Sequence, residues 1–351
     1  MFLDSSRYTR AMPDTFPLSV LDQSPIAEGL TAADALANTL DLAKACDEAG
    51  YNRYWLAEHH ASPGLAGCSP EALIGPVALA TQRIRIGSGG VMLPHYSPFK
   101  VAETFSMIAA LAPGRIDLGL GRAPGTDGLT SFALQRDRSQ RMPVDDFPPN
   151  LAELLAYLGN GLPADHPFAK LRDTLPSGGG VIEPWLLGSS TDSALWAAET
   201  GLPYCIADFI NSDGLPQADL YRRHFKPSRW LAEPYLMVAS WTIAAETRAE
   251  AERLALPARM MFAALIRGEL IAVPSVEKAE AWAVGQPPPA RNRRSILGSP
   301  FEVHSEIIAV RDAYGAQEMM LVNIMPDHAA RVRSYQLIAE QFALANSLEL
   351  A

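Results

Sequence analysis

Short apolar runs that predict β-strands alternate with longer amphipathic stretches that predict helices along nearly the whole chain. Parallel strands buried between helices read as continuous apolar runs because both faces of their sheet are covered. The predicted strands occupy residues 18–21, 53–57, 84–90, 115–121, 183–188, 204–207, 235–243 and 318–323. Eight βα units are the number that closes a TIM barrel. We therefore predict an α/β fold, a (β/α)8 barrel over residues 17–345, preceded by a flexible arm over residues 1–16.

The alternation breaks late in the chain. One long helix is predicted over residues 247–266, and the segment from Gly268 to Ser295 that follows contains three consecutive prolines at 287–289. A connection of this length exceeds an ordinary loop. We predict that residues 268–295 form an insertion, a lid or a dimer contact, rather than a separate domain. The capping box Ser299-Pro300-Phe301-Glu302 predicts that a helix begins directly after it.

Composition narrows the range of partners. The formal net charge is -10, from 39 acidic against 29 basic residues, so a nucleic-acid backbone would be repelled. The basic cluster Arg291-Asn292-Arg293-Arg294 favours a solvated loop face, with contact to a substrate anion as the alternative.

The cysteines, the N-terminus and the hydropathy together favour a cytoplasmic protein. Three cysteines without CxxC spacing suggest neither a disulfide framework nor a zinc ribbon. The first residues lack the apolar core of a signal peptide. No stretch approaches the roughly 20 apolar residues of a membrane helix.

The loops that follow barrel strands collect at one end of the barrel, so polar residues just after strands point to a shared pocket. Glu58-His59-His60 follows the second predicted strand. One imidazole facing the pocket could carry a proton or donate a hydrogen bond while its neighbour is held structurally. Two scaffold histidines are an equally weighted alternative. The chain has no HxH or HExxH motif, so no metal is predicted.

Two further strand ends carry candidate residues. Gly87-Ser88-Gly89-Gly90 ends the third strand, where glycines let the backbone approach a planar ligand. Glycines of an ordinary turn would give the same sequence pattern. Arg122 follows an almost wholly apolar strand, and a guanidinium near a pocket mouth requires an anionic partner. A structural salt bridge is the commoner role of a lone arginine.

The segment from Gly188 to Ser193 opens a helix directly after a strand, which favours an anion at the helix N-terminus. Simple capping by serine has equal weight. Asp192 would repel a phosphate, so we expect its side chain to turn away. Taken together, these strand ends predict an elongated ligand, with a phosphate near Arg122 and Ser190 and a flat ring near Gly89 and His59. That description fits flavin mononucleotide (FMN).

The order of motifs carries a family resemblance. The chain resembles the bacterial luciferase-like flavin-dependent monooxygenases, especially their single-polypeptide branch, at LDQSP (21–25), YWLAEHH (54–60), GSGGVMLP (87–94), PGRIDLGLGRAPG (113–125) and GSP (298–300). The resemblance implies a homodimeric barrel that binds reduced FMN (FMNH2) supplied by a separate flavin reductase. It further implies reaction with O2 through a flavin C4a-peroxide to oxidise a small organic substrate, such as a carbonyl compound.

The resemblance also implies residue roles. His59 matches the catalytic histidine, and Arg122 matches the arginine that binds the phosphate. Gly89-Gly90 matches a non-prolyl cis peptide packed against the isoalloxazine ring. Hydroxyl and acidic positions complete the expected cofactor-binding set: Ser190 and Ser193 match phosphate contacts, Ser189 replaces an acid of luciferase, and Glu58 belongs to the histidine motif.

Departures from the family limit what carries over. Gly121 stands where luciferase has a reactive cysteine, so efficient light emission is not expected. Two other functions stay open because one barrel can host several chemistries. Hydride transfer with a deazaflavin coenzyme is the first, although the motifs at 21–25 and 58–60 favour FMN. A non-catalytic flavin-binding accessory protein is the second, and the presence of both His59 and Arg122 argues against it.

Overall fold

The computed structural model describes residues 16–123, 125–139, 145–286 and 293–344. Nine strands, all paired in parallel, form its sheet. In chain order these are β1 (Leu18–Asp22), β2 (Arg53–Leu56), β3 (Arg85–Met92), β4 (Ile116–Gly121), β5 (Glu183–Gly188), β6 (Tyr204–Ala207), β7 (Leu236–Ala244), β8 (Ser295–Gly298) and β9 (Glu318–Val322).

Eight of these strands close a barrel, which confirms the predicted fold class. β1 to β7 pair in sequence, and β9 joins β7 to β1. The remaining strand, β8, was not predicted. It pairs with the last four residues of β7, Trp241 to Ala244, beyond the part of β7 that pairs with β9 up to Trp241. Four residues are too few for a periodic signal, so no strand was expected at this position.

Twelve α-helices follow or link the strands in the described part of the chain. They are α1 (Ala32–Ala49), α2 (Pro70–Ala80), α3 (Pro98–Leu111), α4 (Gly128–Leu134), α5 (Phe147–Leu158), α6 (Thr191–Thr200), α7 (Leu215–His224), α8 (Arg248–Leu254), α9 (Leu256–Ile266), α10 (Val276–Ala283), α11 (Pro300–Tyr314) and α12 (His328–Phe342). The capping box at Ser299 and Glu302 is confirmed at the start of α11.

The single helix predicted over residues 247–266 was wrong. The structure divides it at Ala255 into α8 and α9. Pro257 lies in the first turn of α9. Because proline has no backbone N–H, it cannot donate within a continuous helix, whereas the first turn of a helix tolerates it.

The described part of the predicted insertion is attached to the barrel rather than extended away from it. Val273 is buried, and its backbone N–H donates to the carbonyl of Ile26 at 2.8 Å. The N–H of Glu28 in turn donates to the carbonyl of Val273 at 2.8 Å. α10 lies within the same segment. The three prolines at 287–289 and residues 1–15 of the predicted arm lie outside the described residues, and the domain bounds and the lid or dimer role stay predictions.

An ionic cluster fills the end of the barrel at which the strands begin. Arg53, the first residue of β2, donates to Asp117 of β4 at 2.8 Å and to Glu318 of β9 at 3.2 Å. Burial would lower the pKa of Arg53, but Glu318, Asp117 and Glu183 raise it well above its ordinary value. The guanidinium also lies 4.7 Å from the ring of Trp185. The buried part of this cluster therefore fills the lumen at the end where the strands begin.

The cluster predicts a large stability effect. Replacing Arg53 with methionine leaves Glu318, which has no other cationic partner among the described residues, buried as an unpaired charge. We expect the free energy of unfolding in urea to fall by about 3–5 kcal/mol. The control Arg333→Met removes exposed pairs with Glu246 and Glu340 and should cost about 0–1 kcal/mol. Equal losses in the two variants would show that the cluster does not stabilise the barrel.

Candidate active site

A cavity of about 490 Å³ opens at the end of the barrel where the strands finish. Its volume lies within the range of about 300–1,000 Å³ that is usual for small-molecule and cofactor sites. All eight predicted site residues line this one cavity: Glu58, His59, Gly89, Gly90, Arg122, Ser189, Ser190 and Ser193. Residues that are far apart in the sequence are thus brought together as the strand-end argument required.

The two adjacent histidines lie in different surroundings, and the roles predicted for them stay predictions. His59 lines the cavity, and its Nδ1 is buried without a hydrogen-bond partner among the described residues. His60 does not line the cavity, and its Nε2 lies 2.7 Å from Oε1 of Glu58. Burial, together with the neighbouring His60, lowers the pKa of His59 to about 4. His59 is therefore a neutral imidazole at pH 7, with a free ring nitrogen for a ligand.

Glu58 is held by protein groups on both carboxylate oxygens. Its Oε2 accepts the backbone N–H of Met92 at 2.9 Å, and its Oε1 accepts the hydroxyl of Tyr96 at 3.1 Å in addition to His60. Burial raises the pKa of Glu58, while the hydrogen bonds from Met92 and His60 lower it. The carboxylate thus connects the end of β2 to the end of β3, where Gly89 and Gly90 lie.

A set of possible metal donors lies beside this carboxylate. Oxygen and nitrogen atoms of Glu58, His60 and His95 fall within 4.8 Å of one another. The hydrogen bonds from Met92, Tyr96 and His60 already occupy the Glu58 oxygens. The contacts are therefore those of a structural hydrogen-bond cluster, and the absence of a metal stays a prediction.

Gly89 and Gly90 form a part of the cavity wall where an added Cβ would crowd neighbouring atoms. The peptide bond between them is cis. A Cβ on Gly89 would lie 2.6 Å from Leu21 Cδ1, and a Cβ on Gly90 would lie 2.8 Å from the carbonyl oxygen of Gly119. The pairing of β3 with β4 also shifts register between Ser88 and Val91. The backbone itself therefore forms the cavity surface here, as a flat ligand requires.

Hydroxyl groups line the opposite part of the cavity, at the N-terminus of α6. Ser190 caps the helix by accepting the backbone N–H of Ser193 at 3.2 Å, and the Ser193 hydroxyl donates to the Ser190 carbonyl at 2.8 Å. A Cβ on Gly188 would lie 2.4 Å from Ser193 Oγ, so only glycine leaves room for that hydroxyl. The first N–H groups of a helix have no intrahelical acceptor and attract anions.

Arg122 lies at the mouth of the cavity beside this helix. Its Nη1 is 3.1 Å from Asp145 and 3.2 Å from Asp192, and its guanidinium lies 5.0 Å from the ring of Trp196. The Asp192 carboxylate thus faces the Arg122 guanidinium here, and our expectation that it turns away from a bound phosphate stays a prediction. Asp192 is 55% exposed and Asp145 50%, so both carboxylates can return to water.

Several lining residues were not predicted. Gln23 follows β1, and the rule that found Glu58 would have found it too; its side-chain amide has a buried atom without a partner among the described residues. The remaining lining residues are apolar or aromatic and gave no chemical signal, among them Trp55, Trp196, Phe209, Ile210 and Met320. A flavin fits this set of residues. Its polar ring could contact the glycine backbone and the unpaired polar atoms of Gln23 and His59, and its anionic tail could contact Arg122 and the hydroxyl groups.

Comparison with known proteins now identifies the family. The sequence pattern of the luciferase-like monooxygenases matches residues 16–317. The chain belongs to the luciferase-like monooxygenase family. It is 42% identical to the uncharacterised protein YwcH of Bacillus subtilis (strain 168), over 93% of this chain and 99% of YwcH. It is 38% identical to the N-acetyl-S-alkylcysteine monooxygenase of the same organism, over 92% of this chain and 97% of that enzyme. The predicted family and the prediction of a monooxygenase are confirmed.

Solved structures share the barrel. The crystal structure of apo-MsnO8 has a TM-score of 0.85 at 38% identity, covering 94% of this chain and 99% of MsnO8. The FMN-bound oxygenating constituent of 3,6-diketocamphane monooxygenase from Pseudomonas putida has a TM-score of 0.70 at 21% identity and covers 94% and 98%. An F420-dependent secondary alcohol dehydrogenase has a TM-score of 0.64 at 13% identity and covers 93% and 99%. These last two likenesses show the fold alone.

None of the helices in the described ranges combines the length and the apolar character that crossing a bilayer would require.

The lowered pKa of His59 predicts a pH effect on stability. Because His59 has a pKa near 4 in the folded chain and near 6.5 when unfolded, the unfolded chain binds more protons between these values. Stability should therefore fall as the pH falls from 6.5 to 4, and less so in His59→Gln than in the wild type. The exposed His224 gives the control variant His224→Gln, which should keep the wild-type slope. An NMR titration midpoint of His59 near 6.5 would contradict the buried, neutral imidazole.

Proposed function

We propose that this protein is an FMNH2-dependent monooxygenase that uses O2 to oxidise a small organic substrate. One observation supports the proposal: a single cavity combines two chemically different parts. One part has the glycine wall and the neutral His59, and the other has Arg122, hydroxyl groups and the N-terminus of α6. Such a cavity matches a coenzyme with a planar head and an anionic tail. Reduced FMN would supply two electrons, so that one oxygen atom of O2 enters the substrate and the other leaves as water.

Arg122 would bind the phosphate by giving up its ion pairs with two carboxylates. Exposed ion pairs such as those of Arg122 with Asp145 and Asp192 contribute only about 0–1 kcal/mol. A phosphate offers the guanidinium stronger charge-assisted hydrogen bonds. Ser190, Ser193 and the N-terminus of α6 would supply further donors, and Ser189 lines the same part of the cavity. Arg122 would thus turn from its two carboxylates to the phosphate.

The flavin ring would lie against Gly89 and Gly90, near His59. A neutral imidazole can donate from one nitrogen and accept at the other, so His59 can hold or move a proton at Nδ1, the atom that has no hydrogen-bond partner in the described part of the chain. Glu58 positions this wall through its hydrogen bond to Met92. The surrounding apolar residues exclude water, which protects oxygen-reactive chemistry from side reactions.

The substrate and partners are part of the same proposal. Apolar groups from Phe209, Ile210 and Met320 line the cavity, which suits a small apolar molecule such as a carbonyl compound. The relative with 38% identity is named for an S-alkyl cysteine derivative, so a thioether is the second substrate class to test. A separate flavin reductase would supply reduced FMN. The homodimer and the cytoplasmic location stay predictions.

The coenzyme must be tested directly because the same barrel occurs with FMN and with F420 in the two structures of low identity. Titration of the protein with each coenzyme, followed by flavin fluorescence, separates the two functions. Clear preference for F420 would replace oxygenation with hydride transfer. Tight FMN binding without oxygenated product from either substrate class would indicate a non-catalytic flavin protein.

Arg122 predicts how the phosphate is recognised. In Arg122→Gln, affinity for FMN should fall by about 10–100-fold, the value of a hydrogen bond to a charged group, while affinity for riboflavin, which lacks the phosphate, should stay unchanged. Arg136→Gln is the control, because Arg136 pairs with Asp146 and does not line the cavity. Equal loss of FMN and riboflavin binding in Arg122→Gln would place the phosphate elsewhere.

A further inference from the structure

A second cavity, of about 430 Å³, lies beside the first between α9, α10 and the end of the sheet. It is lined almost wholly by apolar and aromatic side chains, including Trp241, Phe262, Ile266, Trp282 and Leu297. Two cations, Arg259 and Arg293, also line it, and none of its lining residues is acidic. The lining of this cavity therefore carries positive charge, whereas the chain as a whole has a net charge of -10.

Among the described residues, no carboxylate lies within ion-pair distance of either arginine, and Glu252 acts on Arg259 only from farther away. Nη1 of Arg293 is buried without a hydrogen bond to any described residue, and its guanidinium lies 4.6 Å from the ring of Phe262. Among the ion pairs of the described ranges, none involves Arg259, and burial lowers its pKa although Glu252 raises it. A buried cationic donor without a partner carries a desolvation cost that an anionic ligand would remove.

The neighbouring residue explains why Arg293 faces the cavity. Arg294 pairs with the buried Asp208 at 3.4 Å, and its backbone N–H donates to Ser212 Oγ at 2.7 Å. These bonds fix the chain just before β8 begins at Ser295, which itself lines the cavity. Our expectation of a solvated loop face was therefore wrong for Arg293 and Arg294, and the other two residues of the basic cluster lie outside the described residues.

The second cavity is separated from the first by aromatic side chains. Phe209 lines the first cavity, and Trp241 and Phe262 line the second. The ring of Trp241 lies 6.0 Å from that of Phe209 and 5.5 Å from that of Phe262, both edge to face. A molecule in the second cavity would therefore contact one side of Trp241 while the coenzyme cavity lies beyond the other side.

We propose that this cavity is a binding site for an amphipathic organic acid, whose carboxylate binds Arg293 and Arg259 and whose hydrocarbon part contacts Trp241, Phe262 and Trp282. The site is distinct from the coenzyme cavity and does not depend on which coenzyme the protein uses. An apolar tail accounts for the hydrophobic lining, and a carboxylate accounts for the unpaired guanidinium. A cation would be repelled, and a neutral alcohol could accept a hydrogen bond from Arg293 but would leave its charge without a counter-ion.

Isothermal titration calorimetry of the full chain tests the proposal with octanoate, 1-octanol and octylammonium as probes. We expect octanoate to bind at least tenfold more tightly than 1-octanol, and octylammonium not to bind. Arg293→Gln should weaken octanoate binding by about 10–100-fold and leave 1-octanol binding unchanged, because only the charged contact is lost. Arg293→Lys should retain part of the affinity. Ala263→Leu, which fills cavity space, should weaken both probes.

Several results would overturn it. Equal binding of octanoate and 1-octanol, or unchanged octanoate binding in Arg293→Gln, would show that the arginine does not hold a carboxylate. Loss of octanoate binding in Arg122→Gln instead would place the probe in the coenzyme cavity. Absence of binding, with a changed oligomeric state of Arg293→Gln in size-exclusion chromatography, would indicate that a second copy covers this surface. Circular dichroism and thermal melting of each variant establish that it is folded.

Discussion

The buried ion cluster around Arg53 determines where this barrel can hold a ligand. Its acids also anchor the two tryptophans that fill the lumen: Trp55 Nε1 donates to Asp117 at 2.9 Å, and Trp185 Nε1 donates to Glu183 at 3.2 Å. The two rings lie edge to face, 5.2 Å apart. Trp55 then lines the cavity of about 490 Å³, and its own Cβ would be 3.1 Å from a Cβ on Gly89. The charges at one end of the barrel thus fix the floor of the site at the other.

Above the two tryptophans, the site is formed by the ends of four strands, and each strand end contributes a different chemical group. β2 contributes His59 and the carboxylate of Glu58, β3 contributes the glycine wall, β4 contributes Arg122, and β5 leads into the N-terminus of α6. Parallel strands in a closed barrel place these ends around one opening. β7 and β8 extend beyond this ring and, with α9 and α10, enclose the second cavity. The same strand Leu236–Ala244 contributes to both cavities, through Ala239 to one and Trp241 to the other.

The sequence predicted the eight barrel strands and all eight cavity-lining site residues because their signals are local. Apolar runs mark the strands, and polar or glycine residues directly after them mark the site. What it missed depends on tertiary contacts. Asp192 faces Arg122 because folding brings Asp145 and Asp192 to the same guanidinium. Arg293 lines the second cavity because Asp208 and Ser212 hold its neighbour Arg294. β8 was missed because its pairing to β7, rather than its four residues, makes it a strand.

We propose that one flavin spans the cavity from the glycine wall beside His59 to Arg122 and the N-terminus of α6. A crystal structure of the protein soaked with FMN tests it most directly, because it locates both ends of the coenzyme at once. We predict the isoalloxazine ring against Gly89 and Gly90, with the phosphate within hydrogen-bond distance of Arg122, Ser190 and Ser193 and with Asp192 turned away from Arg122. FMN bound with its phosphate remote from Arg122, or with its ring outside the glycine wall, would contradict the account.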